Sequence, residues 1–357
     1  MPTQSTIPTL GDIGSLLSDV PVTASAPCRI DFGGTLDIGT FHYPLRHLAP
    51  ATVNIALDRR TTVSLRPAGD TRIHISSTGI ADAVFDPSEA PYDHPLGLMF
   101  AVSDYFGAKG VHIHIDSTSP PKSGLGGSSV AAVALIAAFS KVMVRMGAEA
   151  LSRSRMALLA QAIEQSAAGV PCGFQDQLAA AFGGVNEWTW PADPDAPPFS
   201  GRSLLKGHAL QRLDRHLLVA YLGITHVSKD VNSTWVRQFI SAAGRQNWHA
   251  IIELTRKFAD AIGAGNMQAA ADAMNRETAI RKAMTPQVLD TMGDRLTAAA
   301  GEAGCGARFT GAGGGGCLWA LGEAEAVAAL KPVWEKHLAA RPAAGILTCR
   351  VDPRGVI

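Results

Sequence analysis

Hydrophobic and polar positions alternate along Val111–Ser117, where Val111, Ile113 and Ile115 interleave with His112, His114 and Asp116. This is the period-2 signature of a strand with one buried face. Upstream, Thr52–Leu57, Thr61–Arg66 and Arg72–Ser77 are β-rich segments separated by Asp58 and by Pro67–Asp70, so the chain is expected to open with strands. After Ser117 the pattern changes to a glycine loop and a long Ala-rich helix. Ser152 is placed to cap a second helix in which Met156, Leu159 and Ile163 recur at helical spacing, and Gly169 stands where a left-handed C-terminal residue is favoured.

Pro191–Ser200, with four prolines, reads as a surface loop, and His216–Leu222 starts a new apolar strand. Helical spacing dominates from Val231 to Ala300, with Thr285–Pro286 as an N-cap and first-turn signal. A strand and glycine turn (Ala307–Leu321), a helix (about Glu323–Ala340) and a last strand (Ile346–Val351) complete the pattern. The expectation is α+β with two domains: residues 1–20 a loosely attached leader, 21–205 an N-terminal domain and 206–357 a C-terminal one.

Composition agrees with a chain that folds on its own core. Of 357 residues, 46% are hydrophobic, enough for two cores. Lys plus Arg and Asp plus Glu both total 31, so no net charge draws the protein to nucleic acid or an anionic membrane, and small molecules are the expected partners. The five cysteines (Cys28, Cys172, Cys305, Cys317, Cys349) form no C-x-x-C pair and are odd in number, which suggests buried thiols in a reducing cytoplasm. Asp12 and Asp19 interrupt any signal peptide, and the apolar run Val130–Phe139 is too short to span a bilayer.

Three segments carry candidate chemistry. The strongest is PPKSGLGGSSVAA, Pro120–Ala132, in which a strand runs through Pro121, Lys122, Ser123, Gly124, Leu125, Gly126, Gly127, Ser128 and Ser129 into a helix. Glycines let main chain wrap an anion, and the N–H groups and positive dipole end of a helix favour phosphate. The loop lacks the Lys-Ser/Thr pair of a Walker A motif, and Ser129 occupies the last position of a dinucleotide fingerprint. An ordinary strand-to-helix turn fits the loop taken alone. A second run, TGAGGGGCLWAL (Thr310–Leu321), matches G-x-G-x-x-G but leads into a strand-like stretch, so Gly313 and Gly314 are either beside a ligand or part of a structural hairpin. The third, SAPCRIDFGGTLDIG (Ser25–Gly39), groups Arg29, Asp31 and Asp37 around Gly33–Gly34, a set suited to a polyhydroxylated ligand or to a solvated loop.

In this order the three segments resemble the GHMP kinase superfamily, named for galactokinase, homoserine kinase, mevalonate kinase and phosphomevalonate kinase. The middle one is similar to the family's P-x-x-x-G-L-G-S-S-A loop, with Gly127 where the first serine usually stands. The resemblance covers roughly residues 24–321, and GFQDQLAAAFGGVNEW (Gly173–Trp188) is most similar to the heptose 7-phosphate kinases and, more distantly, to fucokinases. The first segment departs from theirs, reading GGTLD where a longer Gly-rich stretch is usual.

The resemblance implies an N-terminal domain with the fold of a ribosomal-protein domain, a ferredoxin-like C-terminal domain and an active site between them, using ATP and Mg²⁺. It implies that Ser128, or its neighbour Ser129, and Glu164 hold the metal, that Asp176 faces the acceptor hydroxyl with Arg29 as its charge partner, and that Asp37, Gly34, Gly313 and Gly314 belong to the substrate pocket. Lys229 and Arg237 are candidates for an acceptor phosphate, whereas His226 and Trp235 read as structural. The acceptor so implied is a sugar or sugar phosphate, taken up by a monomer or homodimer. A non-sugar alcohol such as mevalonate or homoserine, or a silent nucleotide-binding regulator, stays open from sequence.

Overall fold

The computed structural model describes residues 7–18, 20–169, 171–193, 195–225 and 228–357. In chain order the elements are β1 (Gly11–Asp12), α1 (Gly14–Ser18), β2 (Val22–Phe32), α2 (Gly39–His42), β3 (Ala51–Pro67), β4 (Ile73–Ser77), β5 (Ile80–Phe85), α3 (Gly97–Tyr105), β6 (Ala108–Lys109) and β7 (Val111–Ser117). There follow α4 (Gly127–Arg145), α5 (Arg153–Ala168), α6 (Gln175–Phe182), β8 (Val185–Thr189), β9 (Ser200–Ser203), α7 (Gly207–Arg212) and β10 (Leu217–Tyr221). The rest comprises α8 (Ser228–Ile240), α9 (Arg245–Ala264), α10 (Met267–Met284), α11 (Thr291–Glu302), β11 (Gly306–Phe309), β12 (Cys317–Leu321), α12 (Ala324–Leu338) and β13 (Gly345–Ile346).

The first sheet runs β5-β4-β7-β3-β8-β9, with β2 pairing along β3, and α3, α4, α5 and α6 pack together as a helical layer on it through α4 and α6. The second is antiparallel, β11-β12-β10-β13, and carries α10, α11 and α12. The α+β, two-domain expectation holds. Segments cross between the layers. Leu36, Ile38, Phe41 and Leu45 join the hydrophobic core of the C-terminal part, whereas Val351 and Val356 return to the core of the first sheet.

The strand Val111–Ser117 and the Ser152-capped helix are as expected. Ser152 accepts a hydrogen bond from the Arg155 N–H, and Gly169 closes α5 in the left-handed region at φ 62°. Helix α4 is apolar enough to cross a membrane by length and composition, yet it is a core helix: its residues Ser129–Ser140 are all buried.

Three expectations are corrected. Residues 1–20 are not a loose leader where described, because Leu10, Ile13 and Leu17 are buried in the first core and β1 pairs with β6. Thr52–Leu57 and Thr61–Arg66 are halves of one strand, β3, which bends at Asp58–Arg60 and changes partner from β8 to β7 while β2 follows it throughout. Thr285–Pro286 do hold the N-cap and first-turn positions as expected, of a short 3₁₀ turn (Pro286–Val288), and the Thr285 hydroxyl accepts from Trp235 Nε1, while Asp290 caps α11. The last strand shortens to β13 and a single bridge between Val351 and Leu57.

Candidate active site

Arg29 and Asp31 belong to β2, which the sequence pattern left as a loop because the buried face there carries charges in place of aliphatic residues. The Arg29 main-chain N–H donates to Leu125 O, tying β2 to the glycine loop. Its guanidinium bonds Asp176 through Nε at 2.7 Å and Nη2 at 2.6 Å, and Gly124 O through Nη1 at 2.6 Å, with Asp31 at 3.4 Å. Burial disfavours charge on Arg29, but the Asp176 and Asp31 carboxylates outweigh it and hold its pKa above the ordinary value.

Asp176 lies in the first turn of α6, and a Cβ at Gly126 would fall 3.2 Å from its Cγ. Gly126 is the N-cap of α4 at φ 81°, so a glycine is required there both by backbone conformation and by the close carboxylate. The first N–H groups of the 19-residue helix thus open beside Asp176. Pro121 and Lys122 are exposed at the mouth of this loop, and Ser123 is buried beneath it.

Glu164, on α5, receives the Ser129 hydroxyl at 2.6 Å, the Ser128 hydroxyl at 3.2 Å and the Gln177 amide at 2.7 Å. Burial raises its pKa, and the Ser129 hydrogen bond opposes that shift. Both serines reach the carboxylate, Ser129 from a buried position and Ser128 from an exposed one. A carboxylate and two hydroxyls at a helix N-terminus form an oxygen donor set of the kind a hard divalent cation takes.

Asp37 is buried and accepts the Gln175 N–H at 3.0 Å. Gly173 packs so closely that a Cβ there would collide with this carboxylate. Burial, with the nearby Asp176 and Asp31 charges, lifts the Asp37 pKa to about 6. Gly34 is equally confined, since a Cβ would sit 2.5 Å from Asp31 Oδ2 and 2.9 Å from Gln175 Nε2.

Gly313 and Gly314 lie further from this group: Gly313 abuts Val288 and Phe309, and the Gly314 N–H donates to Val288 O. The end of the same run touches the phosphate-type loop, because the Cys317 N–H and the Thr310 hydroxyl both donate to Ser123 O. Trp235 is fully buried core, and Arg237 donates to Thr234 Oγ1. His226 and the side chain of Lys229 lie outside the described residues.

A buried charge network was not foreseen from sequence. Arg308 donates to Asp31 Oδ2 at 3.1 Å and to Glu277 Oε2 at 2.9 Å, and Glu277 also accepts Arg281 Nε at 2.7 Å. Arg281 continues to Gly34 O at 2.6 Å and to Thr35 Oγ1 at 3.2 Å, with Trp235 and Trp248 rings on its guanidinium. The signal for Arg308 was its place two residues before the Thr310 glycine run; Glu277 and Arg281 sit in α10 with none.

The model of the GHMP kinases N terminal domain matches residues 94–184, which hold the glycine loop, Glu164 and Asp176, and the GHMP kinases C terminal model matches residues 258–340. The chain belongs to the GHMP kinase superfamily. As a GHMP kinase it is a phosphotransferase with an alcohol group as acceptor. It is 27% identical over 309 residues to the galactokinase of Roseiflexus sp. (strain RS-1), covering 76% of this chain and 78% of that one. It is 26% identical over 208 residues, 58% of this chain and 60% of the other, to the D-glycero-alpha-D-manno-heptose 7-phosphate kinase of Campylobacter jejuni. In fold this GHMP kinase is similar to Lactococcus lactis galactokinase complexed with galactose (TM-score 0.73, 16% identity, 95% of each chain). It is likewise similar to a D-glycero-D-manno-heptose 1-phosphate kinase from Bacteriodes thetaiotaomicron (TM-score 0.73, 18% identity, 94% of this chain and 97% of that one).

Proposed function

We propose that this GHMP kinase transfers the γ-phosphoryl group of ATP to a hydroxyl of a sugar-type acceptor. The observation that carries the reading is the Arg29–Asp176 pair, set between the N-terminal loop of α4 and the buried Asp37. Gly124–Ser129 would hold the ATP phosphates by main-chain N–H groups and the helix dipole. Glu164 with Ser128 and Ser129 would hold Mg²⁺, which when bound neutralises charge on the phosphates.

The acceptor O–H would be presented to Asp176. As its oxygen forms a bond to the γ-phosphorus, the bond from that phosphorus to the ADP oxygen breaks, and the hydroxyl proton passes to the Asp176 carboxylate and then to water. Arg29, bonded to both Asp176 and Gly124 O, would fix the carboxylate relative to the phosphates. Asp37, confined by Gly173, would bind acceptor hydroxyls, and Gly34 would shape that pocket. Gly313 and Gly314 stay in the reading as pocket candidates of the second glycine run, where they pack on Val288. The relatives' names favour a sugar over mevalonate or homoserine.

The test is ADP release with Mg-ATP across sugars, sugar phosphates, mevalonate and homoserine. Turnover on a sugar-type acceptor is expected, and Asp176→Asn should lower kcat by about 10²–10⁴-fold. Turnover confined to mevalonate or homoserine, or an undiminished Asn variant, would overturn the proposal.

A further inference from the structure

Beside Asp37 opens a cleft of about 770 Å³, within the range of small-molecule sites. Its wall is built from the loop that confines Asp37: Phe174 lines the cleft, and the adjacent Gly173 and Gln175 N–H are the groups pressed on the Asp37 carboxylate. The cleft and the Asp37 carboxylate thus share two neighbouring stretches of chain, Asp37–Ile38 and Gly173–Gln175.

The lining is aromatic and amide-rich. His42 is buried, with the Tyr43 ring tilted against it and Trp190 stacked on it, and Trp190 stacks in turn on Phe174. Burial holds the His42 pKa below the ordinary value, against the backbone of Asp37 and Leu36, so a neutral ring lines this side of the cleft. Gln161 and Gln165 add two amides from α5, and Gln161 also braces the wall by donating to Cys172 O at 3.1 Å. The formally charged residue among the described lining is the exposed acid Asp193.

Aromatic faces with amides suit the alternating C–H and O–H surfaces of a carbohydrate. A phosphate ester in the same place would set its charge beside Asp193, with no cationic side chain among the described lining to pair it. Building on the sugar-kinase reading above, we propose that this cleft is an acceptor subsite selecting a sugar that carries no phosphate. Tyr43, Gln165 and Asp193 are its specificity-determining residues, and none of them is needed to hold Asp176 or Glu164.

The experiment compares kcat/KM for free aldohexoses and aldoheptoses with that for their phosphate esters, using ADP release by the whole protein. The free sugar is expected to be favoured at least 100-fold. Tyr43→Ala, at an exposed position, should raise the acceptor KM about tenfold or more while the ATP KM stays constant. Asp193→Lys should shift the ratio of kcat/KM at least fivefold toward the ester. A wild type that prefers the ester, or a Tyr43→Ala variant with an unchanged acceptor KM, would overturn the subsite and leave the kinase reading standing. Turnover on neither free nor esterified sugars, with mevalonate or homoserine accepted, would overturn the sugar-kinase reading and the subsite with it.

Discussion

Asp37 illustrates how one carboxyl can serve a pocket and tax the fold. Its pKa rises from the usual range near 4 to about 6, mainly through burial and then through Asp176 and Asp31, while the Gln175 N–H works in the opposite direction. Because the folded value is the higher one, the folded state binds the extra proton. The associated stability is complete below about pH 4 and is lost as pH rises through about 6, to an extent of about 3 kcal/mol. Asp37→Asn is therefore expected to melt higher than wild type at pH 8 and alike near pH 4, while acceptor KM increases. Thermal scans across that range check this, and a pH-independent difference would contradict it. Arg29 and Asp37 stand in a glycine segment that the sequence itself marks, whereas Glu164 and Asp176 were legible only through the resemblance to the family. Glu277 and Arg281 were not, since a charged residue in an amphipathic helix reads as solvated until the partner strand is known to cover it.

Elements with strong local signals were readable for physical reasons. Helix α5 has a capping serine and a left-handed glycine at its two ends, so no tertiary information was needed. Ser152→Ala should cost about 1 kcal/mol, seen as a lower denaturation midpoint with kcat unchanged. Strand β3 was misread because Asp58 interrupts the apolar pattern. In the fold Asp58 Oδ1 accepts the Arg350 N–H, so a contact 292 residues away lets the strand continue. The second glycine run shows how an element can act at a distance from its own sequence. A Cβ at Gly316 would collide with Ser123 O, the carbonyl under the α4 loop. Gly316→Ala is expected to displace that loop and lower kcat/KM for ATP by about 10²-fold, which steady-state kinetics would show.

Across the whole molecule, the two sheets are joined by charges at their contact. Glu277 is fully buried between Arg281 and Arg308; burial opposes its ionisation, but the two guanidiniums prevail and hold its pKa below the ordinary value. Through Asp31 and Gly34 the same chain of bonds reaches both sides of the candidate site. Glu277→Gln leaves two buried cations short of an anion and is expected to cost about 3–5 kcal/mol, measured by urea unfolding, together with a fall in kcat. Packing of this kind has no local sequence signature, and neither does the path of residues 350–357. Val351 bridges to Leu57, the Asp352 N–H donates to Ala56 O, Arg60 grips Asp352 and Gly355 O, and Ile357 exchanges hydrogen bonds with Ser25. During synthesis the strands around Ser25 and Arg60 leave the ribosome some 300 residues before these partners do. The first sheet must therefore wait, with part of its edge uncovered, until residues 350–357 have been made, and a nascent chain arrested before residue 350 is a candidate client for chaperones.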